Sequence, residues 1–130
     1  MLASFLSEDR IAKSVLATQS AFTGFFAILN IVFPYVLYMA APSLLIAQTR
    51  LVGFVMAGMS CLGLLALFRF EATGFMRTCC LALSILHGML FLGVSSMVLS
   101  GLGSHFLCLA HLSFAVCLVI LIYAYPDSAT

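Results

Sequence analysis

The chain has 130 residues, 65% of them hydrophobic and 7% charged, with a net charge of +1. Soluble domains run at about 45–50% and about 25%, so this excess exceeds what a water-soluble core uses. Nucleic acid calls for a concentrated basic patch, which five Lys and Arg spread along the chain do not make. The short polar ends are expected to carry no soluble catalytic domain.

Two stretches, residues 14–48 and 78–126, hold no charged side chain. A crossing takes about 20 apolar residues, so each stretch accommodates one to two. The N-terminus is not a clean secretory signal, because Glu8 and Asp9 precede an apolar run too long for a signal core.

In chain order, Ser7 with Glu8 and Asp9 marks a helix start, with a capping hydroxyl and acids against the positive dipole end. A first helix is expected over residues 8–39. A turn at residues 40–43 follows, where Pro42 suits a first helical position, and a second helix reaches residue 70. The polar segment 69–77 separates it from a third helix over 77–99. The two glycines of Ser100-Gly-Leu-Gly-Ser104 break the chain. A fourth helix over 105–125 ends at Pro126 and Asp127.

The expectation is an all-α membrane protein, a four-transmembrane antiparallel helix bundle in one domain over residues 1–130. The spans fall at about 14–39, 46–68, 78–99 and 105–125 by the length a bilayer demands. A three-span alternative applies if Arg50 keeps the second helix out. Arg10, Lys13, Arg69 and Arg77 fall on one side and Arg50 near the other, which places both termini on the cytoplasmic or equivalent side. Tyr35, Tyr38, Tyr123 and Tyr125 stand where interface anchors belong. An organellar inner or thylakoid-type membrane fits.

Small residues let helices approach closely where lipid offers no drive for association. On that ground Gly53, Ala57 and Cys61 in the second helix, and Ser84 and Gly88 in the third, are expected packing positions. The five cysteines are odd in number and form no C-x-x-C pair, so they read as small hydrophobes. Asn30 and Pro34 belong together, because Pro34 cannot bond the carbonyl of residue 30 and leaves an acceptor beside the amide. Asn30 either bonds a neighbouring helix or lines a cavity.

His87, His105 and His111 are the candidate ligands for haem, chlorophyll or a metal. Their placement along antiparallel helices puts His87 and His111 about 8–10 Å apart in depth, too far for shared axial ligation. Haem or chlorophyll through a single histidine, His87 or His111, stays open, although the sequence requires no cofactor and suggests no metal site. The methionines lack ligand neighbours for copper. Acids that would serve an ion pathway are missing from the spans.

Pro42, Arg50-Leu-Val-Gly53, Gly63 and Arg77 carry a resemblance. From Pro42 through His87 the chain resembles the small four-helix DoxX-like membrane proteins, a class that includes subunits of membrane oxidoreductase complexes and many members without known activity. The acids that often accompany helix two in that class are missing here. The resemblance implies the fold more than a function.

The leading expectation is a non-catalytic accessory subunit of a larger membrane complex, perched in an energy-converting membrane. The alternative is a lipid-, haem- or pigment-binding bundle with His87, His111 and Asn30 at its cavity. Arg50 is the expected contact for membrane lipids or other membrane subunits, since its planar fork binds carboxylate or phosphate bidentately.

Overall fold

In a computed structural model the chain is an antiparallel bundle of four helices, described for residues 9–34, 43–101 and 104–125. The helices are α1 (Asp9–Val32), α2 (Ser43–Phe68), α3 (Thr73–Leu99) and α4 (His105–Ala124). Each is long and apolar enough to cross a membrane. Even α4, with 20 residues, extends about 30 Å, the thickness of a hydrocarbon core. Arg50 lies inside a helix that is long and apolar enough to cross a membrane, which favours four spans over three.

The helix ends differ from expectation in two places. α1 stops at Val32, short of residue 39, because the residue before a proline is pushed out of helical geometry and Pro34 has no N–H to donate. Tyr35, Tyr38, Met39 and Pro42 lie outside the described residues, as do Ser7, Glu8, Pro126 and Asp127. α3 begins at Thr73, ahead of Arg77, so the expected polar loop shrinks to residues 69–72. Met76 is fully buried. Its packing supplies the first turn with tertiary support that Thr73 and Gly74 lack by propensity. At the other end of α3, Gly101 takes φ 74°, a left-handed conformation that costs glycine little. Ser104 then caps α4 by accepting from the Leu107 amide at 3.5 Å.

The bundle exposes large apolar side chains and buries several polar ones within an otherwise apolar core. Phe25, Phe54, Phe68, Leu92, Leu99 and Phe106 are exposed, while Gln19, Ser20, Thr23, Ser84, His87 and His111 are buried. Water would favour the reverse distribution. The buried hydroxyls of Ser20 and Thr23 bond carbonyls one turn back, Leu16 at 2.8 Å and Gln19 at 3.0 Å, so each stays satisfied without water. α1 packs chiefly on α2 and α3 on α4, giving two hairpins that meet along α2–α3 and α1–α4.

The α1–α2 seam is built on α2 glycines. A Cβ at Gly53 would come within 2.7 Å of the Ile31 side chain and 2.9 Å of Asn30 Cβ. A Cβ at Gly63 would run into Gln19 Oε1 and Ser20 Oγ. Between them the Ser60 hydroxyl donates to the Ser20 carbonyl at 2.8 Å. The contacting stripe is therefore Gly53, Met56, Ser60 and Gly63. Of the expected positions, Gly53 is buried, Ala57 is half-buried and Cys61 is exposed. Steps of four advance 400°, drifting about 40° each time, whereas alternating steps of three and four hold one face. On α3, Ser84 is buried. Gly88 is half-buried with nothing near its missing Cβ, so no helix approaches closely there.

The termini-proximal end is tied by side chains from α1, from Tyr125 just after α4 and from the turn that follows α2. Tyr125 Oη donates to Asp9 Oδ1 at 3.0 Å, and its ring meets Phe70 edge-on at 5.2 Å. Lys13 Nζ sits 4.9 Å from the Phe70 ring centroid and 3.7 Å from Glu71. The ion pair is exposed and contributes little. Burial first, then the Asp9 hydrogen bond and charge, push the Tyr125 phenol up to about 12 from an ordinary 10.0. Its neutral form is favoured in the folded chain, so this contribution is complete below pH 10 and is lost as pH rises toward about 12. Wild-type protein should lose thermal stability across that window. Tyr125→Phe, which keeps the ring and removes the ionising group, should lower stability at neutral pH and flatten the alkaline fall. An equally steep fall in the variant would assign the loss to other groups.

Candidate functional site

The centre of the bundle holds a hydrogen-bonded chain of side chains from α1, α3 and α4. Gln19 Nε2 lies 3.3 Å from His87 Nε2, and His87 Nδ1 lies 2.9 Å from His111 Nδ1. Gln19 and His87 are fully buried and His111 is 3% exposed. No backbone approach joins α1 to α3, so the long Gln19 side chain crosses the bundle diagonal to reach His87.

This contact overturns the expected 8–10 Å separation of His87 and His111. That estimate counted depth along helix axes and left out side-chain reach and tilt. The two imidazoles meet between the helices, with ring centroids 5.1 Å apart. Phe22 approaches His111 edge-on at 5.9 Å, and Phe114 lies 5.2 Å from His87, so the pair is enclosed by apolar rings. Bonds shielded from water in this way are electrostatically stronger than exposed ones.

The direction of donation along the chain follows from its surroundings. Thr23 Oγ1 donates to the Gln19 carbonyl, so toward the Gln19 side chain it acts as an acceptor, at 3.4 Å from Nε2. Ser20 Oγ approaches the other side of the amide, Oε1, at 3.4 Å. The amide nitrogen faces Thr23 and His87 and donates to both. His87 Nε2 then accepts, which puts its proton on Nδ1. That proton goes to His111 Nδ1, which must be bare, so His111 carries its own proton on Nε2. No second partner for His111 occurs among the described residues.

His111 also lines a cleft of about 520 Å³ between the hairpins, in the half of the bundle away from the termini. Its walls include Phe26, Val52, Met56, Met89, Val94 and Leu107, and Gly93 opens one side. Asn30 lines it too, 8% exposed, with Nδ2 donating to the Phe26 carbonyl at 2.6 Å and its Oδ1 without a partner among the described residues. Thr49 lines it while donating to the Leu45 carbonyl at 2.8 Å. No Asp, Glu, Lys or Arg is among the lining residues.

The structure thus brings His87, His111 and Asn30 to one region. His105 is exposed at the start of α4, apart from it. Arg50 is exposed on α2, with no hydrogen bond or ion pair among the described residues. Gln19 is the residue that sequence reasoning missed. An amide in the middle of an otherwise uncharged span was the available signal, since polar groups in such segments are rare and take partners. No group of three or more His, Cys, Asp or Glu that could hold a metal ion occurs among the described residues.

The chain matches no protein-family model, no curated protein and no solved structure. The likeness to DoxX-like bundles therefore rests on the quoted residues.

Proposed function

We propose that the chain is a multi-pass membrane protein, both termini cytoplasmic, which holds a small apolar molecule between its two hairpins without transforming it. The observation that carries this reading is the inter-hairpin cleft, apolar along most of its walls, with His111, Asn30 and Thr49 as buried polar side chains and Gln48 and Ser104 as exposed ones. Its volume falls in the about 300–1,000 Å³ range of small-molecule sites. The apolar exterior supports residence in lipid, and Arg10, Lys13, Arg69 and Arg77 at one end support the orientation. No acid lines the cleft to pair with a base, which favours binding over turnover. Haem or chlorophyll would need an unprotonated histidine nitrogen. His87 Nε2 is engaged by Gln19 and His111 Nε2 carries a proton, so the donor pattern favours a hydrogen-bonded ligand over a metal-centred pigment.

Gly93 provides the test. Nothing lies within 4 Å of its missing Cβ, so Gly93→Phe should fill the cleft without straining the bundle. Native mass spectrometry of gently extracted wild-type protein should show a retained small molecule near one per chain. Gly93→Phe should lose it at unchanged thermal stability. Equal retention by both proteins would defeat the reading.

Arg50 favours a second, compatible reading, that of an accessory subunit in a membrane complex. It is an exposed cation at the end of the bundle opposite Asp9 and Glu71, available to an anionic lipid or an acid of another subunit. Arg50→Leu should insert normally yet co-purify with fewer partners. Wild-type yield of every partner would leave Arg50 a snorkelling residue.

A further inference from the structure

The relay and the cleft together specify the head group of the ligand. We infer that the cleft is a site for an uncharged lipid alcohol, whose hydroxyl oxygen accepts from His111 Nε2–H and whose hydroxyl proton goes to Asn30 Oδ1. The inference rests on the binding reading above and goes beyond it in naming the ligand chemistry.

Three observations lead to it. First, His111 and Asn30 are each more than nine-tenths buried and line the cleft, and each keeps one polar atom without a partner among the described residues. Neither atom is sealed off within the protein, so each opens toward the cleft and can take its partner from a ligand there. Second, the two atoms are of opposite kind. Gln19 and His87 hold the His111 proton on Nε2, leaving a donor, and the Asn30 amide nitrogen is taken by the Phe26 carbonyl, leaving an acceptor. A hydroxyl is the smallest group that accepts and donates at once. A ketone, ester or ether would serve His111 alone. Third, the lining carries no cation, so a carboxylate or phosphate head would be buried without a counter-charge, at a large desolvation cost.

In this arrangement Gln19 and His87 are positioning residues. They do not touch the ligand. Their work is to fix which nitrogen of His111 bears the proton, as an outer partner fixes the tautomer of a ligand-holding histidine.

The test is a matched set of C16 probes on the full chain in nanodiscs: hexadecanol, hexadecyl methyl ether, hexadecane and palmitate. Binding is read as the excess over the Gly93→Phe variant, which subtracts partition into lipid. Hexadecanol should bind roughly tenfold tighter than hexadecane, with the ether between them, as expected for one or two net hydrogen bonds. His111→Phe should abolish the preference for alcohol and ether over hydrocarbon. His111→Gln, which keeps an N–H donor, should restore part of it. Asn30→Leu should bring the alcohol down to the level of the ether. His87→Leu should reduce the preference without removing it, because His111 is then free to place its proton on either nitrogen. Competition against bound hexadecanol by a sterol and by a diacylglycerol then tells which lipid alcohol fits the walls.

Equal binding of hexadecanol and hexadecane, both blocked by Gly93→Phe, would overturn the head-group inference and leave the binding reading standing. Tighter binding of palmitate would overturn it as well, by showing that the site takes a charge. Loss of excess binding for all four probes would defeat the binding reading itself.

Discussion

Gly63→Val should be the most damaging single substitution in the α1–α2 seam, lowering stability by about 3 kcal/mol. The first added carbon already occupies the space of Gln19 Oε1 and Ser20 Oγ. Either side chain can swing away in isolation, but Gln19 cannot do so and keep its bonds to Thr23 and His87. The substitution therefore acts twice, by overpacking the seam and by leaving buried polar atoms without partners. Two comparisons separate this from a general intolerance of β-branched residues. Gly58 sits on the same helix with nothing within 4 Å of its missing Cβ, so Gly58→Val should cost less than about 1 kcal/mol. Pairing Gly63→Val with Gln19→Ala should recover part of the loss, because space is returned and the stranded amide is removed. Unfolding by SDS in mixed micelles reads these variants beside Gln19→Ala and the wild type. Additive losses in the Gly63–Gln19 pair would show that the two residues do not meet.

His87→Leu should cost about 2–3 kcal/mol, although leucine suits an apolar interior. His87 is the middle member of its chain, so its loss strands Gln19 Nε2 on one side and His111 Nδ1 on the other. Hydrogen bonds inside membrane proteins average well below this, about 0.6 kcal/mol by double-mutant cycles. The larger figure reflects two buried groups left unsatisfied at once. Replacing the whole chain should hurt less than breaking it in the middle. Gln19→Leu combined with His87→Leu and His111→Phe removes every polar atom of the relay, and its stability should lie closer to wild type than that of His87→Leu. The same SDS titration decides the order. If the triple variant is the less stable, the relay is a net source of stability beyond its partners' mutual satisfaction.

Much of the fold was legible in the sequence, and the reason is the bilayer's length rule. Charge-free runs longer than a crossing, divided by a proline and a glycine pair, led to four apolar helices in the order the structure has. α4 was placed at its start, His105, because the two glycines of the 100–104 segment break the chain directly before an apolar run. Of the two ends that moved, Pro34 set that of α1 and packing set that of α3. Met76 drew the start of α3 back to Thr73, since a fully buried side chain can hold a first turn that propensity alone would not.

The seam was half legible for a similar reason. Gly53 was among the expected positions and lies against Ile31 and Asn30, but which small residue comes next depends on whether the stripe steps by three or by four. Only the partner helix settles that, through Ser20 on Ser60 and Gln19 on Gly63.

The candidate site shows the boundary most clearly. His87, His111 and Asn30 stood out as polar residues in apolar spans, and their chemistry could be weighed one at a time. That His87 and His111 share a hydrogen bond could not be read from a count of residues along two axes, because it depends on how far two rings reach across the gap between helices. Gln19 is distant from both in sequence, and its role exists only because α1 and α3 face each other across the bundle. Sequence by itself determined that the chain forms four helices long and apolar enough to cross a membrane, because hydropathy over 20 residues is a local sum. Tertiary structure alone decided which polar groups meet, which proton each holds and which atoms are left for a ligand, because these are properties of pairs that the sequence keeps far apart.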